Sequence, residues 1–294
     1  MFPFPKTVLS VHKNGAISIS LIGHGNLGRV LALALKKAGY QVREIVAHRE
    51  SSVPAARKVA SQAGAQVRLM DVAALDADVT FICVPDAAIR EVSLSLAKRR
   101  NVDWHRKVVV HLSGALPADE MKALRKRGAH VGSAHPMNSF VAGTKPDFRQ
   151  IPFAIEGDKR AVDVATEIAR ALGADAFTIR TKDKPLYHAL GAFASPLLIS
   201  HLQLAEQVGR KAGVKDPKKV IQQILQRTVQ NYLQTNSSAA FSGPLLRGDV
   251  ATIKKHLAAL KAVPAARADY LTLARNAVEN LPVRNARALR KLLK

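Results

Sequence analysis

Cysteine is nearly absent. Cys83 is the only one in 294 residues, which excludes a disulfide framework and a cysteine metal site. Acidic residues are scarce, 22 against 45 Lys and Arg, for a formal net charge of +23. Aromatic residues amount to 5% and do not interleave with the basic groups Lys98-Arg99-Arg100, Arg125-Lys126-Arg127 and Arg284 to Lys294. No stacking platform for single strands results, so the charge reads as a solvated basic surface and a nucleic-acid partner is not expected. No apolar run nears the roughly 18 residues of a membrane span. Met1 to Lys13 carries Pro3, Pro5 and His12 and lacks the apolar core of a signal peptide. No membrane anchor is expected, and the cytoplasm is the default location. What remains is an ordinary globular composition, 48% hydrophobic and 23% charged, long enough for two domains with a core in each.

The most informative stretch is Ser20 to Gln41. An apolar strand leads into Gly23-His24-Gly25-Asn26-Leu27-Gly28, followed by a helix rich in Leu and Ala that stops near Gly39. A lone G-x-G-x-x-G is weak, but this one has a strand before it, a helix after it and a second strand from Val42 to Ala47. Gly23 permits the tight turn, Gly25 admits a pyrophosphate close to the backbone, and Gly28 lets helix and strand approach. The helix N-terminus then offers unpaired N–H groups to phosphate. This stretch predicts a dinucleotide site.

From Ile17 to about Arg180 strands and helices alternate. Strands are expected at Ile17–Ile22, Val42–Ala47, Val67–Met70, Val79–Val84, Val108–Leu112, His130–Ala134, Phe153–Glu156 and Ala176–Arg180, with helices at Pro54–Ala63 and Arg160–Leu172. This alternation predicts an α/β, doubly wound Rossmann-like sheet. Cys83 lies in the apolar run Val79–Val84 and reads as a small buried residue. After Lys182 no strand signal appears. One long helix is expected from Pro185 to Lys211, then helices from Pro217 to Leu233, Val250 to Lys261 and Pro264 to Leu281, capped where Asp216 and Asp249 precede them. Asn236 to Gly248 reads as the longest loop. The chain thus divides into residues 1–182, a dinucleotide-binding domain, and 183–294, an all-helical substrate and dimerisation domain.

Cofactor choice is set past the second strand, which continues His48-Arg49-Glu50-Ser51-Ser52. Arg49 suits a 2′-phosphate, with His48 beside it and Ser51 or Ser52 donating a hydrogen bond, which favours NADP. Glu50 could instead hold a ribose diol, which would favour NAD. Ligands in such sheets lie beyond the carboxyl ends of the strands. The polar residues there are Val84-Pro85-Asp86, Ser113-Gly114 and His135-Pro136-Met137-Asn138-Ser139. His135 is a titratable group at a strand end, although a structural histidine bonded to a loop carbonyl reads equally well. Asp86 reads as the cap of a helix starting at Ala87.

These residues carry a resemblance. Gly23 to Gly28, Val84-Pro85-Asp86, Leu112-Ser113-Gly114, Ala134-His135-Pro136-Met137, Tyr187-His188-Ala189 and Gly243-Pro244-Leu245-Leu246-Arg247-Gly248-Asp249 resemble bacterial proteins that pair a Rossmann-like domain with a C-terminal helical domain of unassigned function. The last two motifs are the more specific. More distantly the chain is similar to pyrroline-5-carboxylate reductase, 6-phosphogluconate dehydrogenase and deazaflavin-dependent NADP reductase. The resemblance implies a substrate held between Rossmann domain and helices, and helical domains that dimerise. It also exposes a departure. The hydroxyacid dehydrogenases of that superfamily use a lysine followed by an asparagine on the first long helix, and Ala189 to Leu198 has neither. Ser195-Pro196 is similar instead to the small-residue-plus-proline segment of pyrroline-5-carboxylate reductase. The reading is an NADP-dependent oxidoreductase acting on a small, anionic imine or carbonyl substrate. His135, Tyr187 and His188 are the candidate proton donors, and Ser113, Asn138 and Arg247 the substrate contacts. Gly23, His24, Gly25, Asn26, Leu27, Gly28, His48, Arg49, Ser51, Val84 and Pro85 are the cofactor contacts, and a homodimer through the helical domain is expected. A non-catalytic NADP-binding regulatory or interaction protein is the other reading.

Overall fold

The computed structural model describes residues 17–141 and 147–294; the expectation for Met1 to Lys13 lies outside them. The chain forms two compact units that part between Gly191 and Ala192. In the first, β1 (Ser18–Ile22), β2 (Gln41–Ala47), β3 (Gln66–Leu69), β4 (Val79–Ile82), β5 (Val108–His111), β6 (His130–Pro136), β7 (Pro152–Gly157) and β8 (Asp175–Thr178) make one sheet in the order 3-2-1-4-5-6-7-8. All neighbours are parallel except β6 and β7, where Ala134 pairs antiparallel with Ile155. The strand order steps outward in both directions from β1, so the carboxyl ends of β1 and β4 form a switch point, where ligands of such sheets bind.

Side-chain alternation explains the two layers of helices. Val79 and Phe81 of β4 and Val108 and Val110 of β5 join a core with α1 (Asn26–Lys37), α2 (Val53–Ala63) and α5 (Lys159–Ala171). Ile82 and Val109 point the other way, onto α3 (Asp86–Lys98) and the short α4 (Lys122–Arg125). Strands buried on both faces read as continuous apolar runs, which is why they were legible in the sequence.

α6 (Lys184–Ala194) follows β8. The sequence places a domain boundary at residue 182; the compact units part within α6 instead, because Lys184 bonds into the sheet. The single helix expected from Pro185 to Lys211 is also two. Ser195 leaves helical geometry at φ −129° and ψ −85°, and α7 (Pro196–Lys211) restarts on its proline. A proline cannot donate the N–H that would continue the preceding helix, and it disfavours helical backbone in the residue before it.

In the second unit, α7 packs on α8 (Pro217–Gln234) and α12 (Pro264–Asn280). Asp216 and Asp249 accept the N–H groups of Lys219 and Thr252, capping α8 and α11 (Val250–Ala259). The segment expected as a loop holds two short helices, α9 (Ser237–Ala240) and α10 (Pro244–Arg247). The basic tail forms α13 (Ala286–Leu292), whose Leu289 joins Leu293, Ile253, Leu257, Ala274 and Val278 in a small core.

Candidate functional site

The glycine loop is built as its spacing predicts. Gly23 has φ +97°, and a Cβ there would lie 2.6 Å from the carbonyl of Cys83; one at Gly28 would lie 2.6 Å from the carbonyl of Gly23. Both glycines hold α1 against β1 and β4. Gly25 is different: it is exposed, and beyond its chain neighbours no atom of the described residues lies within 4 Å of where its Cβ would stand. It is the N-cap of α1, which has no side-chain cap and no acid in its first turn. The first N–H groups of that helix therefore point at open space with a partial positive charge behind them. Asn26 donates from Nδ2 to the carbonyl of Phe140, 3.1 Å, and Leu27 packs on the core. His24 is half-buried, its Nδ1 unpartnered among the described residues, and burial lowers its pKa.

Beside this loop, Ile22 pairs with Val46 of β2, so His48, Arg49, Glu50 and Ser51 follow at the same sheet end, all exposed. Ser52 donates to the Arg49 carbonyl at 2.7 Å, pinning the turn. The Arg49 guanidinium makes no hydrogen bond or ion pair among the described residues. On the other side of β1, Val84 and Pro85 link β4 to α3. The start of α1 fits a dinucleotide phosphate chain: backbone donors, no acid in its first turn, and room over Gly25.

Asp86 is the first residue of α3 and does not cap it. Its carboxylate accepts the Ser113 hydroxyl at 2.8 Å. Ser113, past the end of β5, is the hub of a buried polar network. Its Oγ accepts the N–H groups of Ala115 and Leu116, and its N–H donates to Nδ1 of His111. His111 donates in turn from Nε2 to the carbonyl of Pro117 at 3.0 Å. Burial, with the nearby Lys184 charge adding, depresses the His111 pKa to about 4, so it is neutral.

Lys184 lies beneath this hub, 1% exposed. Its Nζ donates to the Ser113 carbonyl at 3.1 Å and to Ser133 Oγ at 2.5 Å, and lies 3.7 Å from Glu156 Oε1. Glu156, buried on β7, also accepts from the Ala118 N–H and the Thr181 hydroxyl. Burial lowers the Lys184 pKa to about 8, and the Glu156 carboxylate opposes the fall.

Over this floor sit the three candidate donors. His135, near the end of β6, meets Tyr187 edge-on at 5.7 Å between ring centroids and His188 at 5.6 Å. A Cβ at Gly114 would lie 2.8 Å from Cε1 and 2.9 Å from Nδ1 of His135, and 2.5 Å from Cδ2 of His188; only glycine leaves both imidazoles their seat. Nδ1 of His135 is buried without a partner among the described residues. Burial, then the His188 and Lys184 charges, takes its pKa to about 4. Burial raises the Tyr187 hydroxyl to about 12, so it keeps its proton. Lys184, Tyr187, His188 and Gly191 recur at helical spacing, one stripe of α6 laid on the strand ends.

The structure thus brings Ser113, His135, Tyr187 and His188 together. Asn138 is exposed, its Oδ1 taken by the Ser139 N–H. Arg247 belongs to the second unit, exposed at the end of α10, where its charge helps to lower the pKa of Asp249. Sequence reasoning missed Lys184, Glu156 and His111, and it took Asp86 for a cap. Starting α6 at Pro185 left Lys184 off the helix; its i, i+3, i+4 spacing to Tyr187 and His188 was the available signal.

Residues 5–136 match a Rossmann-like domain and residues 151–277 a domain of unknown function (DUF2520). No curated protein matches the chain. Among solved structures, it is similar to a candidate NADP oxidoreductase of Bacteroides fragilis, with 24% identity over 89% of this chain and 97% of that one, TM-score 0.72. An imine reductase of Myxococcus stipitatus in complex with NADP+ shares 17% identity over 94% of this chain and 100% of its own, TM-score 0.65. A pyrroline-5-carboxylate reductase of Coxiella burnetii shares 16% over 95% and 100%, TM-score 0.55. The likeness is one of fold: a Rossmann-type sheet followed by a helical region.

Proposed function

We propose that the protein is an NADP-dependent oxidoreductase that reduces a small, anionic imine or carbonyl compound. One observation carries this reading: an uncapped α1 N-terminus with open space at Gly25 shares a sheet end with His135, Tyr187 and His188. The similar solved structures include an imine reductase bound to NADP+ and a pyrroline-5-carboxylate reductase, which supports the same reaction class. The backbone N–H groups after Gly25 receive the pyrophosphate, with His24, Asn26 and Leu27 around it and Val84 and Pro85 on the far side of β1. Arg49 pairs with the 2′-phosphate, and His48 and Ser51 flank it. Bound NADPH supplies the hydride. Tyr187, with its proton firmly held, and the two imidazoles offer hydrogen bonds to the atom that gains electrons, while Ser113 and Asn138 orient the substrate; Arg247, in the second unit, is proposed as a contact for an anionic ligand. A substrate that arrives as an iminium ion needs no proton from the protein, which suits a site with no evident strong acid. The apolar residues of α7, among them Leu197, Leu198, Leu202, Leu204 and Ala205, suit a twofold homodimer.

Titration calorimetry tests the cofactor. NADPH binds more tightly than NADH, and Arg49→Ala removes most of the difference. A charge-assisted contact is worth about 1.5–3 kcal/mol, roughly ten- to a hundred-fold in affinity. Equal affinities in the unmutated protein overturn the assignment and pass the role to Glu50 and NAD. Tight NADPH binding without turnover of any imine or carbonyl acid supports the non-catalytic reading instead. Arg247→Ala weakens anionic substrates at an unchanged melting temperature; a destabilised variant with unchanged ligand response removes Arg247 from the site.

A further inference from the structure

The buried ammonium of Lys184 has no place in the reaction above, yet it touches β6, which presents His135, and the turn after β5, on which His135 and His188 rest. It draws the Ser113 carbonyl of the β5 end toward Ser133 of β6, and Ser133 itself donates to the same carbonyl at 3.0 Å. That carbonyl precedes Gly114, on which the imidazoles of His135 and His188 rest. We propose that Lys184 is a positioning residue, which fixes the Gly114 seat and holds His135 as a neutral imidazole with its proton on Nε2, a hydrogen-bond donor rather than an imidazolium acid. This deepens the oxidoreductase reading and rests on it for the role of His135.

The tautomer follows from the geometry. Nδ1 of His135 is buried and has no hydrogen-bond partner among the described residues. A proton there would be an orphaned donor, whereas a bare lone pair costs less, so the single proton of the neutral ring belongs on Nε2. An imidazolium would place protons on both nitrogens and leave Nδ1–H unsatisfied. The charges around the ring agree. From α6 it faces Lys184, His188 and the ring of Tyr187, and from α3 the carboxylate of Asp86. Asp86 alone favours protonation, and its Oδ2 is already occupied by Ser113. Glu156, which pairs with Lys184, is not among the charges acting on His135. A neutral imidazole that donates one N–H can stabilise negative charge growing on a substrate oxygen or nitrogen without giving up its proton.

The test is long-range 1H–15N correlation on full-length 15N-labelled protein without cofactor, with His135 assigned by its loss in His135→Gln. In the unmutated protein His135 shows the Nε2–H tautomer, and no imidazolium forms above pH 6. Lys184→Met with Glu156→Gln removes both members of the buried pair, so neither charge is stranded. In that variant the His135 midpoint rises by about one pH unit, because a nearby positive charge is gone. A merely structural lysine would lower the melting temperature and leave the midpoint in place. The proposal is overturned by an Nδ1–H tautomer or an imidazolium at pH 7 in the unmutated protein, or by equal midpoints in both. The tautomer decides alone if the double variant does not fold. NADPH titration of the same samples is a separate readout: no binding there refutes the oxidoreductase reading and leaves the His135 result standing.

Discussion

Two imidazoles in the first unit are held neutral by burial, and this links stability to pH. His111 is fully buried with a folded-state pKa of about 4, against 6.5 for the free side chain. Between those values the unfolded chain binds a proton that the folded one does not. The contribution is therefore complete above pH 6.5 and is lost as the pH falls toward 4, up to about 3 kcal/mol. His135 adds a loss of the same sign over the same window. His111→Asn keeps an acceptor for the Ser113 N–H but cannot titrate. Urea unfolding between pH 7 and 4.5 should show its stability falling less steeply with acid than that of the unmutated protein. Parallel pH profiles would mean that His111 does not titrate on unfolding.

The glycine loop separates folding from binding at neighbouring positions of one element. At Gly28 an added methyl meets the Gly23 backbone, which cannot turn aside. Gly28→Ala should cost about 1–3 kcal/mol, as overpacking does, seen as a lower melting temperature. At Gly25 the methyl meets none of the described residues, and φ −60° is open to alanine. Gly25→Ala should melt with the unmutated protein yet bind NADPH about tenfold or more weakly, because the methyl occupies the phosphate's place. Full NADPH affinity in Gly25→Ala would show that the phosphates lie elsewhere.

On the scale of the molecule, apolar side chains stand in water along the later helices. Leu190 is 64% exposed, Phe193 72%, Ile199 63%, Ile224 63% and Leu233 75%. Their density exceeds the scatter of single exposed residues normal on a monomer, which is the ground for the proposed homodimer. Light scattering at micromolar concentration should return twice the chain mass, and Ile199→Glu should shift it toward the monomer. A monomer mass for the unmutated protein sinks the proposal. With a net charge of +23, association should strengthen as salt screens the repulsion between copies.

The sequence by itself determined the sheet and the glycine loop, because both depend on local pattern. Apolar runs such as Val79–Ile82 and the Gly23–Gly28 spacing carry their geometry within a few residues. The caps at Asp216 and Asp249 were legible for the same reason. The break at Ser195 lay in plain sight at Pro196, but a strong helical period on both sides hid it. Tertiary structure alone decided the floor of the site. Asp86, His111, Ser113, Ser133, Glu156 and Lys184 come from three strands, a loop and two helices spread over about a third of the chain. No periodicity joins them. A buried lysine is tolerated only where its partners already surround it, and those partners exist only once the sheet has closed beneath α6.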